Sequence, residues 1–154
     1  MKTASPLWKK LLLLAGVLSV ILSLSVVGVF KLGLFDSATE KHLRSALAEP
    51  TTTVTLPAQI SGSTWQEALI VCPYTDAAAV PAAYQTTLEN FSTQTESFNW
   101  VLYKLSDGTV IDHEVSRKTA DFCRKDVFIE VTPKCEFTVE NLGAGQGTVL
   151  TPKC

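Results

Sequence analysis

Asp112-His113-Glu114 is the one place in the 154-residue sequence where an imidazole stands among carboxylates, the combination from which general bases and metal sites are built. The spacing works against both uses. On a strand, neighbouring side chains point to opposite faces, so Asp112 and Glu114 share a side that His113 does not. His42 is the only other histidine and precedes the folded region, whereas zinc needs three or four convergent ligands. A serine nucleophile needs a base and an oxyanion hole; no serine stands in a G-x-S-x-G setting, and His113 is the sole base on offer. Gly143-Ala144-Gly145-Gln146-Gly147 has the glycine content of a phosphate loop, but it lacks a following Lys-Ser/Thr and leads into a strand instead of a helix. Paired-carboxylate glycosidase chemistry needs a deep cleft that roughly 100 residues rarely build. The sequence therefore assigns no catalytic residue, no metal ligand and no cofactor site.

Cysteine chemistry is better supported. Cys72, Cys123, Cys135 and Cys154 form an even set with no CxxC pair and no zinc partners, which reads as disulfides and an oxidising compartment. Four cysteines allow three pairings, and the expected one joins Cys72 to Cys123 and Cys135 to Cys154. If residues 141–147 close a hairpin centred near Ala144, position 135 falls opposite 153 or 154, within disulfide reach. Cys72 then ends a central strand and meets Cys123 after a helix and a hairpin.

The elements that must position these residues follow from patterning. Ala68-Leu69-Ile70-Val71-Cys72 is a compact apolar run stopped by Pro73, read as a central strand. Residues 76–91 are alanine-rich and predict one helix, broken at Pro81 if anywhere. Two strand-like runs flank Ser106-Asp107-Gly108, and Asp-Gly predicts a two-residue type I′ turn that sets Leu105 against Val110, Tyr103 against Asp112 and Trp100 against Val115. Further strands are expected at 127–131 and on both sides of the 141–147 loop. Thr-Pro-Lys-Cys occurs at 132–135 and again at 151–154, as two similar strand ends. One main helix and about five strands joined by tight turns predict an antiparallel α+β domain with two disulfides.

Ahead of it, twenty residues from Leu11 to Phe30 carry no charge, enough for a helix spanning about 30 Å of hydrocarbon. The best small-x-small cleavage site, Ala46-Leu47-Ala48, lies eighteen residues past Phe30, so the segment is expected to stay as an anchor. The absence of a cysteine before Cys72 excludes a lipoprotein anchor on this segment. Lysines and arginines flank it nearly equally, and the disulfides decide orientation: N-terminus cytoplasmic, domain extracytoplasmic. The expected layout is a cytoplasmic tail at 1–10, a transmembrane helix at 11–34, a juxtamembrane helix with a Thr/Pro-rich spacer at 35–63, and an extracytoplasmic domain at 64–154. Asp36-Ser37 caps the juxtamembrane helix, which Pro50 ends, and Thr51–Leu56 offers a short edge strand. Ala15, Ser19 and Ser23 recur at four-residue spacing and offer a membrane partner a small-residue stripe.

Lys2, Lys9, Lys10 and Lys31 are the only charges before Asp36; taking those four from thirteen basic side chains leaves nine against fifteen acidic ones in the domain. Such a surface repels phosphate backbones, and no nucleic-acid partner is expected. The one basic cluster, Arg117, Lys118, Arg124 and Lys125, has Asp121 and Asp126 interleaved and reads as solvated surface. Trp8 suits the membrane boundary beside Lys9 and Lys10. Trp65 and Trp100 are core or rim aromatics and the sequence's candidates for a partner contact. Asn90-Phe91-Ser92 matches a glycosylation acceptor.

Val71-Cys72-Pro73-Tyr74, Asn99-Trp100-Val101 and Asp121-Phe122-Cys123 behind an N-terminal anchor resemble the corresponding pieces of small, uncharacterised membrane-anchored exported proteins of actinobacteria, over about two thirds of the chain. The resemblance implies a cell-envelope location and carries no activity. The leading functional expectation is a non-enzymatic, membrane-tethered accessory or interaction protein of the cell envelope, with the lipid bilayer and a membrane protein as partners. An extracytoplasmic ligand-binding or hydrolase-inhibitor module comes second, and a small envelope hydrolase third.

Overall fold

The computed structural model describes residues 36–84, 96–124, 128–143 and 147–154. The expected membrane span and its Ala15, Ser19 and Ser23 stripe, Asn90 to Ser92, Lys125 and Asp126 lie outside the described residues. Among those described, no helix is long and apolar enough to cross a membrane.

Helix α1, Ala38–Ala46, starts at Ser37, whose extended backbone and side-chain oxygen, 3.1 Å from the Glu40 amide, cap the first turn. Eight strands follow: β1 Thr53–Val54, β2 Gln59–Ile60, β3 Ser63–Val71, β4 Phe98–Leu105, β5 Val110–Ser116, β6 Phe128–Val131, β7 Glu136–Asn141 and β8 Thr148–Lys153. They form two antiparallel sheets. One runs β2-β3-β4-β5, with β6 beside the far half of β3; the other is β1-β7-β8. The apolar run is the central strand that its composition predicts, with β4 on one edge, β6 on the other, and Ala68 to Val71 all fully buried. Burial on both faces explains a run without alternation.

On one face the larger core joins Leu43 of α1 and Val54, Phe137 and Leu150 of the smaller sheet to Ala68, Ile70, Val101, Tyr103 and Val115. On the other, Val80 and Tyr84 cover Leu69, Val71, Trp100 and Leu102. Where Trp65 pairs with Leu105 and Glu67 with Lys104, a bulge inserts one residue into β3. It moves Trp65 to the face of Ala68 and Ile70 instead of that of Leu69 and Val71.

Four local expectations are corrected. Residues 49–63 are no spacer: β1, β2 and buried Val54, Leu56 and Ile60 build them into the domain. The turn with positive φ at both central residues, as type I′ requires, lies there too, at Ser61 and Gly62 (φ 51° and 82°), between Ile60 and Ser63. At Asp107-Gly108 the loop has three residues instead. The Gly108 amide bonds the Leu105 carbonyl at 3.0 Å and the Leu105 amide bonds the Thr109 carbonyl at 2.8 Å, with Gly108 at φ 85°. This is a type I turn closed by a left-handed glycine, and it shifts the register by one: Tyr103 faces Ile111 and Trp100 faces Glu114. Finally, residues 77–79 form a 3-10 turn and not the start of an α-helix. The Asp76 carboxylate takes the Ala78 amide at 2.9 Å, and Pro81 has no amide to continue an α-helical ladder.

Both disulfides form as expected, Cys72–Cys123 across 51 residues and Cys135–Cys154 across 19. The second follows from the β7–β8 register, in which Glu136 faces Lys153 and the hairpin is centred beside Ala144.

Candidate functional site

His113 does not sit in a site. Its Nδ1 lies 2.8 Å from Thr39 Oγ1, which is also 2.8 Å from the Tyr103 hydroxyl, and Thr39 is fully buried. Both hydroxyls are satisfied when Tyr103 donates to Thr39 and Thr39 donates to an unprotonated Nδ1. Burial lowers the His113 pKa and raises that of Tyr103, so both groups stay neutral near pH 7. No reactant can reach Thr39. The chain of hydroxyls is a clasp between α1 and the sheet, not a nucleophile with its base.

Glu40 completes the clasp. Nearly fully buried, its carboxylate accepts from the Ser116 amide and the Thr119 hydroxyl, both at 2.5 Å, and from Arg44 at 2.8 Å. Among the described residues, no group of three or more His, Cys, Asp or Glu side chains is arranged to hold a metal ion.

The tryptophans considered for a partner contact are interior. Trp65 is 4% exposed, with its indole N–H on the Pro57 carbonyl at 2.7 Å, and Trp100 is 8% exposed. The exposed large hydrophobic side chains among the described residues are Tyr74, at 62%, and Leu142, at 37%. Tyr74 adjoins an open cleft through its contact with Glu96, whereas the Leu142 side chain is not part of the cleft's lining.

That cleft, about 960 Å³, opens where the start of β4 and the end of β5 meet the tip of the β7–β8 hairpin. Its centre is Arg117. The Arg117 amide bonds the Ser97 carbonyl at 2.9 Å, and its guanidinium donates to Asp121 at 2.6 Å and to the Glu96 carbonyl at 3.2 Å. Gly147 lies against it: a Cβ there would meet the Arg117 carbonyl at 3.4 Å. Asn141 and Gly143 line the hairpin side. On the other side the Tyr74 hydroxyl is hydrogen-bonded to the Glu96 carboxylate, which raises its pKa and keeps it a donor. Of the basic cluster, Arg117 pairs with Asp121 and Arg124 with Glu140 at 3.1 Å, while Lys118 is exposed at the cleft.

Tyr74 is held there by strained backbone. Cys72 ends its strand in a disulfide, Pro73 fixes the next φ, and Thr75 closes the turn with its amide and hydroxyl on the Cys72 carbonyl, at 3.3 and 2.7 Å. Tyr74 therefore occupies the third position of a Pro-led turn at φ 63°, a place that glycine or asparagine normally takes. A bulky side chain there is a genuine outlier. Sequence reasoning passed over Tyr74 because nothing but its place after Pro73 marks it. Beside the cleft the chain offers an aromatic ring, a hydroxyl donor and a guanidinium paired with a carboxylate.

No family model matches the chain, and neither a curated protein nor a solved structure is significantly similar to it.

Proposed function

We propose that this chain is a non-enzymatic, membrane-tethered accessory protein of the cell envelope, whose extracytoplasmic domain holds a protein partner on the face built by Tyr74, Glu96 and Arg117. The carrying observation is Tyr74, 62% exposed on left-handed backbone. That conformation costs an L-residue about 1–2 kcal/mol, and the exposed ring recovers little of it by burial within the domain. Strain held at a surface points to a use for what it presents. Tyrosine and arginine are also the residues on which protein interfaces most often depend. Two disulfides support an oxidising location, and the uncharged segment at 11–30 supports the anchor.

A binding site for a small soluble ligand is the second reading, favoured by the volume of the cleft. The open mouth and the pairing of Arg117 with Asp121 leave less for a small ligand to gain than for a partner covering the whole face.

Purification of the full-length protein from its native membrane in mild detergent tests the reading. The wild type is expected to retain a stoichiometric partner. Tyr74→Gly is expected to lose it while unfolding at the same or higher urea concentration, because glycine relieves the strain by up to about 1 kcal/mol. Equal retention by Tyr74→Gly contradicts the reading.

A further inference from the structure

The two disulfides differ in what surrounds their sulfurs. Cys135 is 3% exposed, and its Sγ accepts two hydrogen bonds from Thr132, from the amide at 3.3 Å and from the hydroxyl at 3.5 Å. A disulfide sulfur carries no proton, so Thr132 is the donor in both. The same turn fixes the donor set, because the Cys135 amide bonds the Thr132 carbonyl at 3.0 Å. Cys154, the other half of the bond, is exposed. The bond thus joins an exposed residue at one end to a buried sulfur at the other, and the buried sulfur is prepared to carry negative charge. Lys134 and Lys153, beside the two cysteines in sequence, favour an incoming thiolate, against Glu136.

Cys72–Cys123 is arranged otherwise. Cys72 is 3% exposed, and the half-buried Cys123 packs against the main core. Its amide donates to the Asp121 carboxylate at 3.0 Å, which ties this end of the bond to the Arg117–Asp121 pair.

We propose that Cys135–Cys154 is a site of thiol–disulfide exchange, with Cys154 attacked by an external thiolate and Cys135 leaving into the Thr132 turn. The nucleophile forms a new S–S bond to Cys154 Sγ, the bond between Cys154 and Cys135 breaks, and its electron pair stays on Cys135 Sγ as a thiolate. The products are a mixed disulfide at Cys154 and one free thiolate, with no net oxidation. Attack by the Cys135 thiolate on Cys154 Sγ reverses the step and returns the external thiolate. Exchange rates rise as the leaving thiol becomes more acidic, which is the contribution of the two Thr132 donors. The reaction does not require unfolding, since the six cross-strand pairs from Glu136–Lys153 to Asn141–Thr148 hold β7 and β8 together without the disulfide. The inference shares no residue with the Tyr74 face and stands or falls independently of it.

Reduced glutathione is the probe, applied to the full-length protein in detergent, with acid trapping, alkylation of free thiols and peptide mass spectrometry. The expected first product carries glutathione on Cys154 and the alkyl label on Cys135, with Cys72–Cys123 intact and circular dichroism unchanged. Thr132→Val, which keeps the amide donor and loses the hydroxyl, is expected to react roughly threefold more slowly, and Thr132→Ser to restore the rate. First appearance of the adduct on Cys72, Cys123 or Cys135, loss of both disulfides together, or equal rates for Thr132→Val and wild type would each overturn the proposal.

Discussion

His113 illustrates how burial turns a reactive residue into a structural one. Desolvation lowers its pKa, against the opposing charge of Asp112 beside it, and its Nδ1 accepts the hydrogen bond that ends the chain from Tyr103 through Thr39. The unfolded chain takes up this proton near pH 6.5, the folded domain only at lower pH. Between those two values the unfolded state holds the extra proton, so stability rises with pH across the window. It is full above about 6.5 and is lost as pH falls through the folded value. Glu114, raised by burial, acts with the opposite sign in the carboxylate range: its contribution is full below its unfolded pKa and lost as pH climbs through the folded one. Urea unfolding between pH 5 and 7.5 is therefore expected to show a fall in stability below about pH 6.5 in the wild type and a flatter profile in His113→Gln. The same slope in both would show that the imidazole carries no linkage. The sequence made legible that a strand splits Asp112-His113-Glu114, with His113 turned inward between two exposed carboxylates. It could not show that Thr39, seventy-four positions away, would occupy the imidazole.

Helix α1 shows at the level of elements why the segment ahead of the strands is part of the domain. Ser37 caps it from within and also donates to the Glu114 carbonyl at 2.6 Å, Leu43 enters the main core, and Glu40 binds the end of β5 and the turn after it. Removing the carboxylate strands the Ser116 amide and the Thr119 hydroxyl together, so Glu40→Ala is expected to cost about 3 kcal/mol in urea unfolding. A loss below about 1 kcal/mol would mean that α1 is held by Leu43 alone. The start of α1 is local and was readable; the attachment to β5 depends on residues far along the chain and left no pattern. The strands divide in the same way. Ala68–Cys72 announced itself by being apolar on both faces, and the β7–β8 hairpin by its glycine-rich centre. The register at Asp107 slipped because Asp-Gly serves a two-residue turn and the last two positions of a three-residue one equally well. Asp107 itself settles the choice: its carboxylate accepts the Thr109 amide at 2.9 Å, which lowers its pKa.

For the molecule as a whole, two covalent links cap the two sheets. In the chain-entropy account, closing loops of 51 and 19 residues stabilises the domain by about 4 and about 3 kcal/mol, which matters for a core of this size. The rigid frame lets one turn keep a tyrosine in an unfavourable conformation at the surface. Antiparallel α+β architecture and disulfide pairing were legible from strand patterning and hairpin symmetry. The surface beside Tyr74 was not, because it depends on a backbone angle at Tyr74 and on the meeting of Glu96, Arg117 and Gly147, none of which leaves a periodic signal. Whether a partner sits on this surface in an anchored protein is tested by photocrosslinking in native membranes with p-benzoylphenylalanine in place of Tyr74. The control carries it at Asp107, exposed at the opposite end of the β4–β5 hairpin from the cleft. One discrete adduct is expected from position 74, retained in the membrane after an alkaline wash, and none from 107; no adduct at 74, or the same adduct from both positions, would show that no partner sits there.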